Sequence, residues 1–342
     1  MVRIFANRFP LFNFQIRTKL PIVQESKKYH IIFMRKQAVY TLLTLAIFGS
    51  VAAGVAVAQP GPGRGGFGFG QQARPGPPAP VPPQVAIARP TQEELDKINA
   101  DLKEYIAKSP DKELMQKWES LLTVQMPRAN SAIAPVQTGV RTTQRHNGFV
   151  ATATNSDFDI LFEGDSITDW WQQGGATGGA EVFKKYFGEN KVANFAVAGD
   201  TTQGLIWGLQ NGEGQGHKPK AVMLMIGTNN TGGNSGPEIA EGVGAVVLQL
   251  RKDFPDAKIL LLAIFPRGSG PTDPLRVKNE EANKIIAKLD DGKHVFFKNI
   301  NDQFLNPQGG LIGFRNDNLH PNAEGYEIWA SAVAPTLKKW IK

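Results

Sequence analysis

Five short apolar runs, each followed by a longer amphipathic stretch, constrain this chain more than any other feature. They are "DILFE" (159–163), "VANFAVA" (192–198), "AVMLMI" (221–226), "KILLLAIF" (258–265) and "HVFFKNI" (294–300). Helical candidates lie near 179–187, 202–210, 237–253, 275–289 and 323–341. Strands that read as continuous apolar runs and alternate with helices predict a parallel sheet covered on both faces. The expected class is α/β: a three-layer α/β/α sandwich with a parallel five-stranded sheet, occupying residues 145–342. That length suits a single domain.

The chain upstream divides into three further parts. Residues 1–58 hold eight Lys/Arg and one acid, which leaves thirty of each sign in the rest. The net charge of +7 therefore belongs to this leader, and the remainder offers no basic face for nucleic acid. Met34-Arg35-Lys36 precedes the apolar run "AVYTLLTLAIFGSVAAGVAVA", which ends in Ala56-Val57-Ala58. A positive start, an apolar centre and an A-x-A site predict a secretory signal with translation starting at Met34 and cleavage after Ala58. Export to the periplasm or exterior follows. An uncleaved membrane anchor is the competing reading, because about 20 apolar residues can span a bilayer.

Residues 59–90 are Gly/Pro-rich and read as a disordered or polyproline-like linker that buries no core. Gly63, Gly65 and Gly68 fit a G-x-G-x-x-G pattern there, but no strand precedes and no helix follows, so the dinucleotide reading fails. Residues 91–126 read as a helical hairpin. Thr91 to Glu94 forms a T-x-x-E capping box, and Leu95, Ile98, Leu102 and Ile106 recur at helical spacing. Ser109-Pro110 starts a second helix carrying Leu114, Trp118, Leu121 and Leu122. Its apolar stripe would dock on the main domain or on a partner, and a homodimer stays open. The chain has no cysteine, which removes disulfides, a thiol nucleophile and Cys-ligated metal.

Ligands of open α/β sheets bind beyond the carboxyl ends of the strands. The unusual residues gather there. The first run ends in Gly164-Asp165-Ser166, the second in Gly199-Asp200-Thr201-Thr202, the third in Gly227-Thr228-Asn229-Asn230 and the fourth in Pro266-Arg267-Gly268. After the fifth comes "DNLHP", with Asp317 and His320. Acyl transfer fits this set. A serine hydroxyl needs a base, and a histidine serves when a carboxylate fixes its tautomer. In an irregular turn, the spacing of three lets Asp317 reach Nδ1 of His320, leaving Nε2 for Ser166. The backbone N–H groups of Ser166 and Gly199, with the Asn229 amide, are candidate oxyanion donors.

"GDSIT", "NFAVAGDTT", "IGTNN" and "DNLHPN" resemble, in order, the four signature blocks of the SGNH (GDSL-type) hydrolases. The resemblance runs from about residue 145 to the end. It makes Ser166, Gly199, Asn229 and His320 the four signature residues and Asp317 the triad acid. "GDTTQGLIWGLQNGE", "KPKAVMLMIGTNN" and "FPRGSGPTDPLRVKN" resemble more narrowly the catalytic α-subunits of intracellular platelet-activating-factor acetylhydrolases and secreted bacterial relatives. Position 167 is Ile where the family name has Leu, and Thr168 rules out a G-x-S-x-G elbow. The resemblance implies a flavodoxin-like sheet and a serine esterase for short acyl groups, with no metal or cofactor. The alcohol is carbohydrate or lipid, and the export signal tilts the expectation toward an O-acetylated glycan. A non-catalytic binding module on the same fold is the reading of another class.

The remaining polar residues get plainer expectations. His146, His217 and His294 are structural or solvent-facing. Asp165 orders the nucleophile turn. Asp200 or Thr201 caps a helix. Trp170 and Trp171 pack on the following helix or line an acyl or sugar pocket, Arg267 is left unassigned, and Asn230 has no separate chemical argument.

Overall fold

The computed structural model describes residues 74–175 and 178–342. The leader, with its apolar segment, lies outside the described residues. Residues 102–124 fall in one compact unit, and residues 74–101 and 125–342 in another.

In the larger unit, β1 (Ile160–Gly164), β2 (Val192–Asn194), β3 (Ala221–Met225), β4 (Lys258–Leu262) and β5 (Val295–Lys298) form one sheet in the order β2-β1-β3-β4-β5. Every neighbouring pair is parallel. The helices are α1 (Gln92–Lys108), α2 (Lys112–Lys117), α3 (Glu119–Leu122), α4 (Thr143–Asn155), α5 (Ser166–Asp169), α6 (Ala180–Phe187), α7 (Thr202–Gly208), α8 (Gly236–Asp253), α9 (Pro274–Ile286) and α10 (Ala323–Ile341). Side chains alternate across the strands, so each strand feeds two cores. Leu161, Val222, Leu224, Ile259 and Leu261 pack with residues of α7, α8 and α9. Phe162, Met223, Met225, Leu260 and Leu262 pack with residues of α6 and α10 on the other face. This is the three-layer α/β/α sandwich.

The sheet order reverses between β1 and β3, because β2 lies outside β1 on one side and β3 follows on the other. A crevice opens at such a switch point, beyond the carboxyl ends of the strands. Ser166 follows β1, Gly199 follows β2 and Asn229 follows β3, so the topology gathers all three there.

Several boundaries differ from the sequence reading. β2 stops at Asn194 and not at 198, because the chain leaves the sheet to form the Gly199 loop. β4 stops at Leu262, although Ala263, Ile264 and Phe265 are still buried. The sequence reading has no helix at α4: "TQRHNGFVATATN" mixes Gly, Thr and Asn and has weak apolar periodicity. The Thr142 side chain caps it by accepting from the Arg145 N–H.

The Gly/Pro-rich stretch also departs from expectation over its described part. Residues 74–90 contain neither helix nor strand, yet Ala79 and Val85 are buried in the core that includes α8. The Ala79 N–H donates to the Ile133 carbonyl, and Arg89 forms a two-pronged ion pair with buried Glu241 of α8. A sequence poor in large apolar residues still packs here because Gly244 lets the chain approach α8. A Cβ at Gly244 would lie 2.5 Å from Val85 Cγ2.

Helix α1 carries the capping box: the Thr91 N–H donates to Glu94 Oε2 and the Glu94 N–H to Thr91 Oγ1. The second helix of the expected hairpin is broken at Trp118 into α2 and α3. Leu114, Trp118 and Leu121 are exposed. Among the described residues, no helix is long and apolar enough to cross a membrane.

Candidate active site

Ser166 opens α5 directly after β1. Asp165 is its N-cap, accepting the Ile167 N–H at 3.0 Å. The Tyr326 hydroxyl of α10 donates to the Ile167 carbonyl at 2.8 Å and ties this turn to the far core. Gly164 makes the sharp strand-to-helix passage feasible, since a Cβ there would lie 2.4 Å from Thr168 Oγ1 and 2.5 Å from the Met225 carbonyl. Asp165 is fully buried, and burial pushes its carboxyl up to about 7.

Asp317 and His320 lie in the loop before α10. Asp317 Oδ1 accepts the backbone N–H groups of Leu319 and His320, each at 3.0 Å. Asn318 takes a left-handed conformation with φ 54°. This tight turn brings Asp317 Oδ2 to 2.7 Å from His320 Nδ1. His320 Nε2 then stands 2.9 Å from Ser166 Oγ. Partial burial pushes the Asp317 carboxyl upward, but the two backbone donors and the His320 ring outweigh it and hold it below its ordinary value. Asp317 therefore stays ionised beside an imidazole whose Nδ1–H points at it.

Gly199 has φ 81°, a left-handed conformation suited to glycine. Among the described residues, neither the Ser166 nor the Gly199 N–H is paired with a protein acceptor. The Asn229 side-chain amide donates one N–H to the Asp200 carbonyl at 2.7 Å, which leaves its second N–H. Ser166, Gly199 and Asn229 thus lie just beyond the carboxyl ends of β1, β2 and β3, and Asp317 and His320, from the loop before α10, reach Ser166 there.

Neighbouring residues carry signals that the sequence alone did not resolve. Asp200 does not act mainly as a helix cap. Its Oδ1 accepts the adjacent Thr201 N–H, and its Oδ2 is ion-paired with Arg141. Arg141 and Glu213 are fully buried and paired with each other, and His146 Nδ1 lies 2.7 Å from Glu213 Oε1. Glu163 is buried in the same region, and desolvation holds its carboxyl well above the usual range against the pull of Arg141. Asn230 is a bracket. It accepts the Thr202 N–H and donates to Thr202 Oγ1 and Gln203 Oε1, joining the third loop to α7.

The tryptophans separate. Trp171 is fully buried against Tyr326 and Trp329. Trp170 stacks on the His320 ring at 4.0 Å between centroids, with the Arg315 guanidinium 4.4 Å from the same indole. Arg267 is half-buried and donates to the Thr228 carbonyl and hydroxyl, bracing the third loop. Among the described residues, no group of three or more His, Asp or Glu side chains is placed to hold a metal ion.

The fold and this constellation define a carboxylic ester hydrolase. The family model for GDSL-like lipases and acylhydrolases matches residues 162–328. Platelet-activating factor acetylhydrolase IB subunit alpha2 of Homo sapiens is 35% identical over 181 residues, covering 53% of this chain and 73% of that protein. Subunit alpha1 of Bos taurus is 30% identical over 211 residues, covering 61% and 88%. A solved carbohydrate acetylesterase from Sinorhizobium meliloti is 21% identical with a TM-score of 0.42, covering 54% of this chain and 99% of that one. This chain belongs to the GDSL-like lipase/acylhydrolase (SGNH) family.

Proposed function

We propose that this chain removes short acyl groups, acetyl in particular, from an O-acylated carbohydrate by way of a covalent acyl-enzyme. The observation that carries the reading is the relay Ser166 Oγ, His320 Nε2, His320 Nδ1, Asp317 Oδ2, with successive separations of 2.9 Å and 2.7 Å. Ser166 Oγ attacks the ester carbonyl while His320 Nε2 takes its proton. The resulting oxyanion faces the N–H groups of Ser166, Gly199 and Asn229. His320 then returns the proton to the leaving alcohol. A water attacks the acyl-Ser166 and gives a proton to His320; the Oγ–acyl bond then breaks, His320 passes that proton to Ser166 Oγ, and the carboxylic acid departs.

The curated relatives are acetylhydrolases by name, which supports a small acyl group. Asn316, Asp317 and Asn318, next to His320 in the chain, are exposed, and polar side chains there would suit a hydroxyl-rich alcohol. Export with cleavage after Ala58 is part of the same proposal. A second reading, an acetylated phospholipid, rests on the name of the curated relatives. Comparing kcat/KM on acetylated oligosaccharides and acetylated phospholipids separates the two. A higher value on the lipid replaces the carbohydrate reading. Ser166→Ala tests the mechanism: hydrolysis of p-nitrophenyl acetate must vanish while the fold persists. A fluorophosphonate probe labels Ser166 if the site is catalytic and leaves a pure binding module unmarked.

A further inference from the structure

The stretch 130–146 lies N-terminal to the matched residues 162–328, yet it is built into the loop that carries Gly199. Ala132 offers its carbonyl to the Thr202 hydroxyl at 2.7 Å, and the Val136 N–H donates to the Gln203 carbonyl. Arg141 is the centre of this contact. Its side chain is fully buried, and its guanidinium reaches three points of the chain between 195 and 213. Nε donates to Asp200 Oδ2 at 2.8 Å, one terminal nitrogen to Glu213 Oε2, and the other to the Phe195 carbonyl at 3.4 Å. The Thr138 hydroxyl secures the other oxygen of Asp200 at 3.1 Å.

Asp200 is the joint. Through the chain it is bonded to Gly199, and its carbonyl accepts the Asn229 amide at 2.7 Å. The stretch also reaches the site surface, where a Cβ on Gly199 would meet Val140 Cγ1 at 3.3 Å. Burying a guanidinium and two carboxylates is costly, and well-packed apolar residues often hold a fold equally well. What a guanidinium fork adds is fixed direction at several acceptors at once.

We propose that Arg141 is a positioning residue for acyl transfer: acting through Asp200, it fixes the Gly199 N–H and the Asn229 amide toward the oxyanion. Arg141 touches no substrate. The inference rests on the assignment of Gly199 and Asn229 as oxyanion donors.

A double-mutant cycle in the full chain tests it, with kcat and KM on p-nitrophenyl acetate for Arg141→Met, Asn229→Ala and the pair. Arg141→Met is expected to lower kcat at least about tenfold with KM within about threefold. The pair is expected to lose clearly less than the product of the two single losses, because both changes act on the Asn229 amide, while Arg141→Met alone also disturbs the Gly199 N–H. Independent, multiplying losses overturn the proposal, since a merely structural arginine acts without regard to Asn229. An unchanged kcat in folded Arg141→Met overturns it as well. If Arg141→Met does not fold, Thr138→Ala takes its place in the cycle. It loosens the same Asp200 carboxylate without leaving an unpaired charge, and the same coupling decides. Two controls keep the underlying reading separate. Activity surviving in Ser166→Ala refutes the acyl-enzyme itself, and a fully active Asn229→Ala refutes the donor assignment.

Discussion

The imidazole of His320 lies on the indole of Trp170, with ring centroids 4.0 Å apart and 31° between their planes. Asp317 fixes one edge of that imidazole, and Trp170 fixes its plane. An aromatic contact of this kind contributes about 1 kcal/mol. Trp170→Ala leaves both hydrogen-bond partners of His320 in place but frees the ring to rock. We expect kcat/KM on p-nitrophenyl acetate to fall about tenfold, with Trp170→Phe recovering most of the loss. Equal activity in wild type and Trp170→Ala would reduce the stack to packing.

Asp317→Asn separates the two jobs of this residue. The amide oxygen can still accept the Leu319 and His320 N–H groups, so the turn survives. Its NH2 can no longer accept from Nδ1, and the ring loses both its tautomer and its counter-charge. Steady-state kinetics are expected to show kcat lower by about 10³–10⁴. A loss under tenfold would mean that the carboxylate charge contributes little.

Asn229→Ala removes one proposed oxyanion donor and, with it, the contact to the Asp200 carbonyl. The expected loss is about 10²–10³ in kcat with KM nearly unchanged. A boronate that mimics the tetrahedral adduct should weaken in parallel. Loss confined to KM would place Asn229 in substrate binding.

Asp165 links the site to stability. Buried, with Oδ2 lacking a hydrogen-bond partner, it titrates at about 7 in the fold against 3.8 as its ordinary value. Between those values the folded chain holds a proton that the unfolded chain has released. Stability contributed by this group therefore falls as pH rises through that window and stays lost above it. Asp165→Asn keeps the Oδ1 acceptor for Ile167. It is expected to be near neutral around pH 4 and stabilising at pH 8, by on the order of a few kcal/mol. Urea unfolding at the two pH values measures this; an equal effect at both would show that Asp165 ionises in the fold as it does in solution.

Val85 tests the packed stretch before α1. It is 3% exposed and faces Gly244 of α8. Val85→Ala is expected to cost about 1–2 kcal/mol in chemical denaturation. A residue in a free linker would cost nothing.

The sheet was legible because its strands are apolar on both faces, a pattern that few other arrangements tolerate. The capping box at Thr91 was legible because its signal is local. Asp317 and His320 were legible for the same reason: a spacing of three within one tight turn suffices to join them. The burial of residues 79–85 was not, since Ala79 and Val85 become core only where a glycine of a distant helix admits them. The role of Trp170 was open between packing and pocket lining until its neighbour in space was known. Helix α4 was missed because its residues have poor helix propensity, and contacts from Arg141, Arg145 and His146 to the sheet loops hold it in place.

By itself, the sequence determined the layers and singled out Ser166, Gly199, Asn229, Asp317 and His320 as candidates. Hydrophobic periodicity and turn-forming residues act over a few positions, and four short blocks carry them. Only the tertiary structure decided which side chains hold those five in place. Arg141 lies 59 residues from Asp200 and 72 from Glu213, and no local pattern records that separation. A buried guanidinium finds its carboxylates only after the sheet and its helices have brought the loops together, because burying it without them would be prohibitive.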